Sequence, residues 1–265
     1  MQDIPKKRLG QHWLKNDDAL KAMCDAGEVN QGDTVLEIGP GLGHLTEKIL
    51  QRGANLIAVE KDHDLAKNLL NNISKFTNHE SLKVVCSDIR DFNLLDLPKG
   101  YKVVANIPYY LTSNLIRQLL SSQNPPSLVA LLVQKEVAER ITAKTGSKSL
   151  LTIAVELFAE PELGEVIPAK LFDPPPKVDS RIVILKVRDN PKFPVDQKRF
   201  FQLVKAGFSN KRKKLKSSLS GGLCIGRPEI EKILDDANID KNARAQALAL
   251  DDWHKLYQVW IKAKL

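Results

Sequence analysis

The chain has 265 residues, of which 43% are hydrophobic and 27% charged. These proportions are close to globular averages and argue against wholesale disorder. The longest strongly apolar run, residues 128–133, is far shorter than the roughly 20 residues of a membrane helix. No secretory-type apolar stretch follows the amino terminus, and three widely spaced cysteines give neither a disulfide framework nor a zinc pattern. Composition therefore predicts a soluble, cytoplasmic protein without a metal site.

The formal net charge of +8 is concentrated in one part of the chain. Residues 198–227 contain nine Lys and Arg residues and no acidic residue, whereas the remainder carries 31 basic and 32 acidic residues. A localised basic block predicts a phosphate-rich partner such as nucleic acid. The alternative is a solvated surface with no partner.

Apolar runs alternate with helical segments through the first two-thirds of the chain. The predicted strands are 34–38, 56–60, 82–86, 102–105 and 128–133, and the predicted helices between them are 42–51, 64–76 and 112–122. Uninterrupted apolar strands are typical of a parallel sheet covered on both faces. Two further strands, near 157–166 and 181–187, lie too close together for a helical crossover and predict an antiparallel pair at the sheet's end. The expected fold is α/β, with a mostly parallel Rossmann-like sheet.

A Pro-containing segment at 190–194 predicts a boundary between a domain at residues 1–189 and a small all-α domain at residues 190–265. Four helices are expected in the second domain, at 194–207, 211–219, 228–237 and 251–262. In the second of these, Leu215 is expected to face the core. In the last, Asp251 is the expected N-cap, and an aromatic stripe that includes Trp253 and Trp260 is expected to be core.

A glycine-rich loop, Glu37-Ile-Gly39-Pro-Gly41-Leu-Gly43, follows the first predicted strand and opens a helix. Glycines there allow a tight turn and let a ligand approach the backbone. The spacing differs from the G-x-G-x-x-G of dinucleotide sites, which argues against a nicotinamide dehydrogenase. Glu60 ends the second strand, where it can accept ribose hydroxyls, and Asp88 follows the third, where it can accept from an adenine amine. Three strand-end carboxylates favour S-adenosylmethionine, which carries an ammonium and a sulfonium.

A second motif, Asn106-Ile-Pro108-Tyr109, ends the fourth predicted strand. An exocyclic amine on an aromatic ring is a poor nucleophile because its lone pair is delocalised into the ring. The Asn106 amide oxygen and a backbone carbonyl positioned by Pro108 can accept its N–H groups, and Tyr109 offers a ring for stacking on an unstacked base. The motif therefore predicts methyl transfer to a base amine, with an ordinary turn and a packed tyrosine as the alternative.

Five motifs together resemble the ribosomal RNA adenine dimethyltransferases: Gly10–Leu14, Glu37–Gly43, Asn106–Tyr109, Gln134–Arg140 and Phe172–Ser180. The resemblance covers residues 6–187 in order and continues more weakly through the helical domain. It implies a methyl-donor site formed by His12, Leu14, Gly39, Glu60, Asp88 and Asn106, with Gly41 in the same loop. It also implies that Phe172 faces the target base opposite Tyr109. Trp13 departs from the phenylalanine more usual in the family.

Two branches of this family share most of these motifs. Small-subunit enzymes dimethylate two adjacent adenosines in a hairpin near the 3′ end of their rRNA, whereas large-subunit methylases confer antibiotic resistance by modifying one adenosine. Gln134–Arg140 and the basic segment Phe208–Leu215 favour the small-subunit branch. The resemblance then implies an immature small ribosomal subunit as partner, and we expect a monomer. The basic block predicts contacts to rRNA phosphates from Lys211, Arg212, Lys213 and Lys214. A DNA or protein-amide methyltransferase and a non-enzymatic assembly factor remain alternative hypotheses.

Overall fold

The computed structural model describes residues 11–73, 79–210 and 212–263. Its strands are β1 (Trp13–Leu14), β2 (Thr34–Ile38), β3 (Asn55–Glu60), β4 (Leu82–Cys86), β5 (Lys102–Asn106), β6 (Leu128–Gln134), β7 (Ala159–Ile167), β8 (Phe172–Asp173) and β9 (Ser180–Val187). Its helices are α1 (Asp17–Ala26), α2 (His44–Gln51), α3 (His63–Ile73), α4 (Thr112–Leu120), α5 (Lys135–Ile141), α6 (Leu150–Phe158), α7 (Gln197–Phe208), α8 (Leu215–Leu223), α9 (Arg227–Asp236) and α10 (Leu250–Ala263).

Seven strands form one mixed sheet in the order β4-β3-β2-β5-β6-β9-β7. The first five are mutually parallel, and β9 pairs antiparallel with both β6 and β7. The α/β prediction and the antiparallel pair at the sheet's end are therefore confirmed. The order reverses direction at β2 and β5, and ligands of open α/β sheets bind beyond the carboxyl ends of strands at such a point.

The central strands are apolar nearly throughout because helices cover both faces of a parallel sheet. All residues of β6 except Gln134 are buried, and so are the last four residues of β2. Each helix contributes one apolar face to the core. In α2 this face includes Leu45, Ile49 and Leu50, which are buried. This packing fixes the strand ends, and hence the loops that follow them.

The chain also has a small second sheet that the sequence did not predict. Strand β1 pairs antiparallel with β8, so that Trp13 lies opposite Asp173 and Leu14 opposite Phe172. An ion pair between Lys15 Nζ and Asp173 Oδ2, at 2.6 Å, adds to the pairing. Two distant motifs of the sequence thereby become neighbours.

The chain divides into two compact units, one comprising residues 1–139 and 159–189, the other residues 140–158 and 190–265. The second unit thus includes α6 in addition to the segment after residue 190. The expected boundary between domains at residues 1–189 and 190–265 stays a prediction. In the described ranges no helix is both long and apolar enough to cross a membrane.

The second unit corrects two sequence expectations. A helix over 211–219 is wrong, because α8 begins at Leu215 and Lys214 has extended backbone at its N-cap; Lys211 itself lies outside the described residues. Asp251 is not an N-cap, because α10 begins one residue earlier, at Leu250. The buried positions of Leu215, Trp253 and Trp260 are confirmed.

Candidate active site

A pocket of about 750 Å³, including its open mouth, lies beyond the carboxyl ends of the central strands of the first unit. Its lining comes from the β1 segment, the glycine-rich loop, the end of β3 and the loop after β5. Of the sequence-predicted site residues, it brings together His12, Leu14, Gly39, Gly41, Glu60, Asn106, Pro108 and Tyr109. Glu37 lines the same pocket. Residues separated by almost a hundred positions therefore share one cavity.

The glycine-rich loop needs glycine for two different reasons. At Gly41, φ is +58°, and a Cβ would lie 3.1 Å from the indole Nε1 of Trp13. At Gly39, φ is +68°, but a Cβ would meet no atom within 4 Å. Both positions adopt a left-handed backbone that side chains disfavour. The open space beside Gly39 belongs to the pocket wall and lets a ligand approach the backbone.

Glu60 is a buried carboxylate at the end of β3, only 5% exposed. Its Oε2 accepts from the Gly41 N–H at 3.1 Å, and its Oε1 accepts from the Asp62 N–H at 2.8 Å. Burial raises the pKa of Glu60, and the backbone donors of Asp62 and Gly41 oppose that rise. The two amides hold the carboxylate in one orientation at the pocket wall.

Glu37 lies deeper, at the end of β2, and is 1% exposed. Thr46 Oγ1 donates to its Oε2 at 2.6 Å. Burial raises the pKa of Glu37 to about 8, the Thr46 hydrogen bond opposes the rise, and the charge of Glu60 adds to it. Such a carboxyl favours a cationic group beside it, because a cation stabilises the ionised form.

We expect Glu37→Gln to flatten the dependence of folding stability on pH. The pKa of Glu37 is raised from 4.5 to about 8 in the folded protein, so the folded state binds more protons than the unfolded state between these values. Its contribution is most favourable below pH 4.5 and is lost as the pH rises towards 8. The slope is at most about 1.4 kcal/mol per pH unit. Urea unfolding at pH 5, 6, 7 and 8 measures the free energy of unfolding as a function of pH, with Glu47→Gln as the control. If this free energy changed equally with pH in wild type and Glu37→Gln, the raised pKa of Glu37 would be contradicted.

Asn106 is held by the amino-terminal segment. Its Nδ2 donates to the backbone carbonyl of His12 at 3.1 Å. The His12 ring is fixed in turn, since its Nδ1–H donates to the Pro174 carbonyl at 2.7 Å. With the amide nitrogen engaged, Oδ1 of Asn106 is the atom left to accept from a ligand.

Tyr109 follows in the same loop, with its ring 6.0 Å from the His12 ring and inclined by 20°. Its hydroxyl is 2.8 Å from Ser180 Oγ, and burial raises its pKa. Ser180 is the register partner of Gln134 on β6. The sequence motifs at Asn106–Tyr109, Gln134–Arg140 and Phe172–Ser180 therefore meet at one place. The spacing of these motifs along the chain does not predict the contact between Tyr109 and Ser180.

Of the residues predicted to contact the donor or the base, Phe172 and Asp88 do not line the pocket. Phe172 is 4% exposed and packs in the hydrophobic core opposite Leu14. Asp88 follows β4, where Arg90 and Lys61 surround its carboxylate. The side-chain hydrogen bonds of Arg90 hold the pKa of Asp88 well below its usual range, and Lys61 lowers it further.

The basic block lies in the second unit. Arg212, Lys213 and Lys214 are exposed and precede α8. Lys214 Nζ donates to Asn242 Oδ1 at 2.7 Å, and Lys216 Nζ pairs with Glu231 at 2.7 Å. Lys214 and Lys216 therefore already have protein partners, and the sequence did not predict these contacts.

A mixed sheet of this order, with a glycine-rich loop after β2 and acidic residues at successive strand ends, defines a Rossmann-like methyltransferase. The model of the ribosomal RNA adenine dimethylase family matches residues 3–262. The chain therefore belongs to that family, whose members are enzymes that use S-adenosylmethionine as methyl donor.

Individual relatives agree with this membership. The ribosomal RNA small subunit methyltransferase A of Dehalococcoides mccartyi (strain CBDB1) is 40% identical over 95% of this chain and 87% of the relative. The crystal structure of a dimethyladenosine transferase from Plasmodium falciparum has a TM-score of 0.82 and 28% identity, covering 96% of this chain and 99% of that one. The 23S rRNA methyltransferase ErmE has a TM-score of 0.72 and 27% identity, covering 93% of this chain and 98% of that one.

Proposed function

We propose that this protein is a small-subunit rRNA adenine N6,N6-dimethyltransferase that modifies two adjacent adenosines in a hairpin near the 3′ end of the rRNA. The observation that carries this proposal is the hydrogen bond from the Asn106 amide nitrogen to the His12 carbonyl, which leaves the Asn106 oxygen for the base. Asn106 and Glu60 line the same pocket. The identity to a small subunit methyltransferase A supports the choice of branch. The large-subunit methylase remains the second candidate, supported by the likeness to ErmE.

The pocket residues fit S-adenosylmethionine. The space beside Gly39 that a Cβ would fill allows close approach of a ligand to the loop. Buried Glu37 suits the donor's ammonium, and Glu60, fixed by two backbone amides, can accept from both ribose hydroxyls. Leu14 and His12 contribute to the wall. Asp88, which follows β4 outside the pocket lining, is assigned to the adenine amine. When bound, S-adenosylmethionine supplies an electrophilic methyl group.

The residues of the Asn106–Tyr109 loop then prepare the target base. The Asn106 Oδ1 accepts one N6–H, and the Pro108 carbonyl, which already accepts from the Leu111 N–H at 3.0 Å, has a second lone pair for the base. These acceptors favour a pyramidal nitrogen with its lone pair directed at the methyl group. Tyr109 stacks on the base. That Phe172, the register partner of Leu14, faces the base opposite Tyr109 stays a prediction. Catalysis rests on positioning and the exclusion of water, and good alignment lowers a barrier by as much as about 7–11 kcal/mol.

Mapping of the modified bases tests the proposed function. Under-methylated small ribosomal subunits, large subunits, duplex DNA and a peptide amide are each incubated with the enzyme and labelled S-adenosylmethionine. We expect dimethylation of two adjacent adenosines in small-subunit rRNA. Modification of one large-subunit adenosine instead would favour the second candidate, and subunit binding without label transfer would favour the assembly-factor hypothesis.

We expect the double variant Arg212→Gln, Lys213→Gln to weaken subunit binding and to reduce its dependence on salt. Both side chains are exposed before α8, where they can contact phosphates. Each lost contact is expected to reduce the slope of log affinity against log salt by about 0.7–0.9. Filter binding between 50 and 300 mM salt measures the slope.

The matched control is Lys216→Gln, because Lys216 already pairs with Glu231. Donor affinity is expected to be unchanged in all these variants. An unchanged slope in the double variant would show that Arg212 and Lys213 form a solvated surface only. The assignment of Lys211 and Lys214 to the same rRNA contact remains part of this proposal, as do a monomeric state, an immature subunit as partner, and cytoplasmic location.

A further inference from the structure

Every acceptor position of the Asp88 carboxylate is engaged by the protein itself. Oδ1 accepts from the backbone N–H and from Nε of Arg90, both at 3.0 Å. Oδ2 accepts from Arg90 Nη2 at 2.6 Å and from Lys61 Nζ at 2.9 Å. A carboxylate offers about four lone-pair positions. A ligand amine can therefore be accepted only if one of these donors leaves.

Asp88 lies where the adenine end of a donor is expected. Strands β3 and β4 are parallel, with Glu60 paired to Cys86, and Asp88 follows two residues later. The Ser87 N–H donates to the Glu60 carbonyl at 2.9 Å, which ties this loop to the residue assigned to the ribose. A donor whose ribose contacts Glu60 extends towards Asp88.

We propose that Lys61 competes with the adenine amine of the methyl donor for Asp88 and thereby sets donor affinity. The inference rests on the proposed function, in which Asp88 accepts that amine. Lys61 is thus a positioning residue that acts through Asp88.

Lys61 leaves more readily than Arg90. Lys61 makes a single contact through a side chain that is 51% exposed, and exposed single ion pairs are weak. Arg90 uses a two-pronged guanidinium contact in addition to its backbone N–H, an arrangement that is stronger and geometrically fixed. With Lys61 in solvent, Arg90 still keeps Asp88 ionised and oriented. One Oδ2 position is then available to the adenine amine.

The competition has an unusual dependence on salt. Salt screens the Lys61–Asp88 pair from the side of Lys61, whose side chain is 51% exposed, whereas that of Asp88 is 11% exposed. S-adenosylhomocysteine, the donor product used as probe, has no net charge at neutral pH. Its affinity is therefore expected to rise with ionic strength as Lys61 is released.

Calorimetry with S-adenosylhomocysteine tests the proposal on the full chain. We expect Lys61→Gln to bind the probe about two- to fivefold more tightly, in keeping with the strength of exposed pairs, and to lose the dependence on salt. The matched control is Lys186→Gln, because Lys186 pairs with Glu162 and is similarly exposed, at 47%, but lies on β9. In steady-state assays Lys61→Gln is expected to lower the donor KM while kcat is unchanged.

A second probe separates this inference from the assignment of Asp88. It is the analogue of S-adenosylhomocysteine in which hydrogen replaces the adenine amine, and its affinity is expected to be equal in wild type and Lys61→Gln. If wild type prefers the amine-bearing probe but Lys61→Gln does not bind it more tightly, the competition is overturned while the assignment of Asp88 stands. If wild type and Asp88→Asn both bind the two probes equally, the assignment of Asp88 is wrong and the competition is wrong with it. Transfer of methyl groups to small-subunit rRNA would still stand in either case.

Discussion

Replacing Asn106 by alanine is expected to lower kcat for methyl transfer by about 10²–10³-fold, the range for removing a fixed polar group that acts on a developing charge. In the proposed function the Asn106 oxygen accepts from the base, because its amide nitrogen already donates to the His12 carbonyl at 3.1 Å. Alanine keeps the backbone but removes the acceptor for the N6–H. Single-turnover methylation of under-methylated small subunits measures the loss in rate. The affinity for S-adenosylhomocysteine, measured by calorimetry, is expected to change by less than about tenfold.

Asn106→Asp separates the presence of an acceptor from its orientation. Aspartate has nearly the same shape and keeps an acceptor, but an ionised carboxylate cannot donate to the His12 carbonyl. We therefore expect it also to lose more than about tenfold in rate. Asn114→Ala, on the exposed face of α4, is the control. A rate within threefold of wild type in Asn106→Ala would show that the loop does not act on the base as proposed.

Replacing Glu60 by glutamine is expected to weaken donor binding about tenfold to a hundredfold. A hydrogen bond to a charged group is worth about 1.5–3 kcal/mol. Glutamine has one acceptor oxygen, so its NH₂ group lies against the N–H of either Gly41 or Asp62. Calorimetry with S-adenosylhomocysteine measures the change, and kcat at saturating donor is expected to be near wild type.

The pH dependence of donor binding gives a second measurement on Glu60. Its pKa is raised by burial, and only the ionised form accepts from both ribose hydroxyls. Wild-type affinity is therefore expected to fall as the pH falls through that raised pKa, and Glu60→Gln is expected to lose this contribution. Glu47→Gln, on α2 outside the pocket lining, is the control. Unchanged affinity in a folded Glu60→Gln protein would refute the ribose assignment.

The sequence predicted the central strands well because they are short and apolar nearly throughout. Strands β2 and β4 have the predicted bounds, and each of the other strands of the main sheet was predicted within two residues of its observed start. The two-residue strands β1 and β8 carry no such pattern, and only their pairing with each other defines them. Helix α6 is apolar nearly all round, so its sequence does not show which unit it belongs to.

The site was predicted less completely than the fold. Motifs predicted that Glu60, Asn106 and Tyr109 lie close together, and all three line one pocket, because strand ends of a parallel sheet converge at one edge. The contacts that orient these side chains come from distant residues, such as the His12 carbonyl and Ser180, and no local pattern reports them. The start of α8 was misplaced because the basic run before Leu215 has no Ser, Thr, Asp or Asn at its N-cap to mark the boundary.

The β1–β8 pairing has a consequence for when the enzyme becomes competent. His12 and Pro174, which are 162 positions apart, are hydrogen-bonded, and the same segment holds the amide of Asn106. Closing so large a loop is entropically costly and slow compared with local helix formation. During synthesis, the parallel strands can assemble while this wall is still incomplete. We therefore expect the ability to bind methyl donor to be acquired late, after the Phe172–Pro174 segment that holds His12 has left the ribosome that is making it.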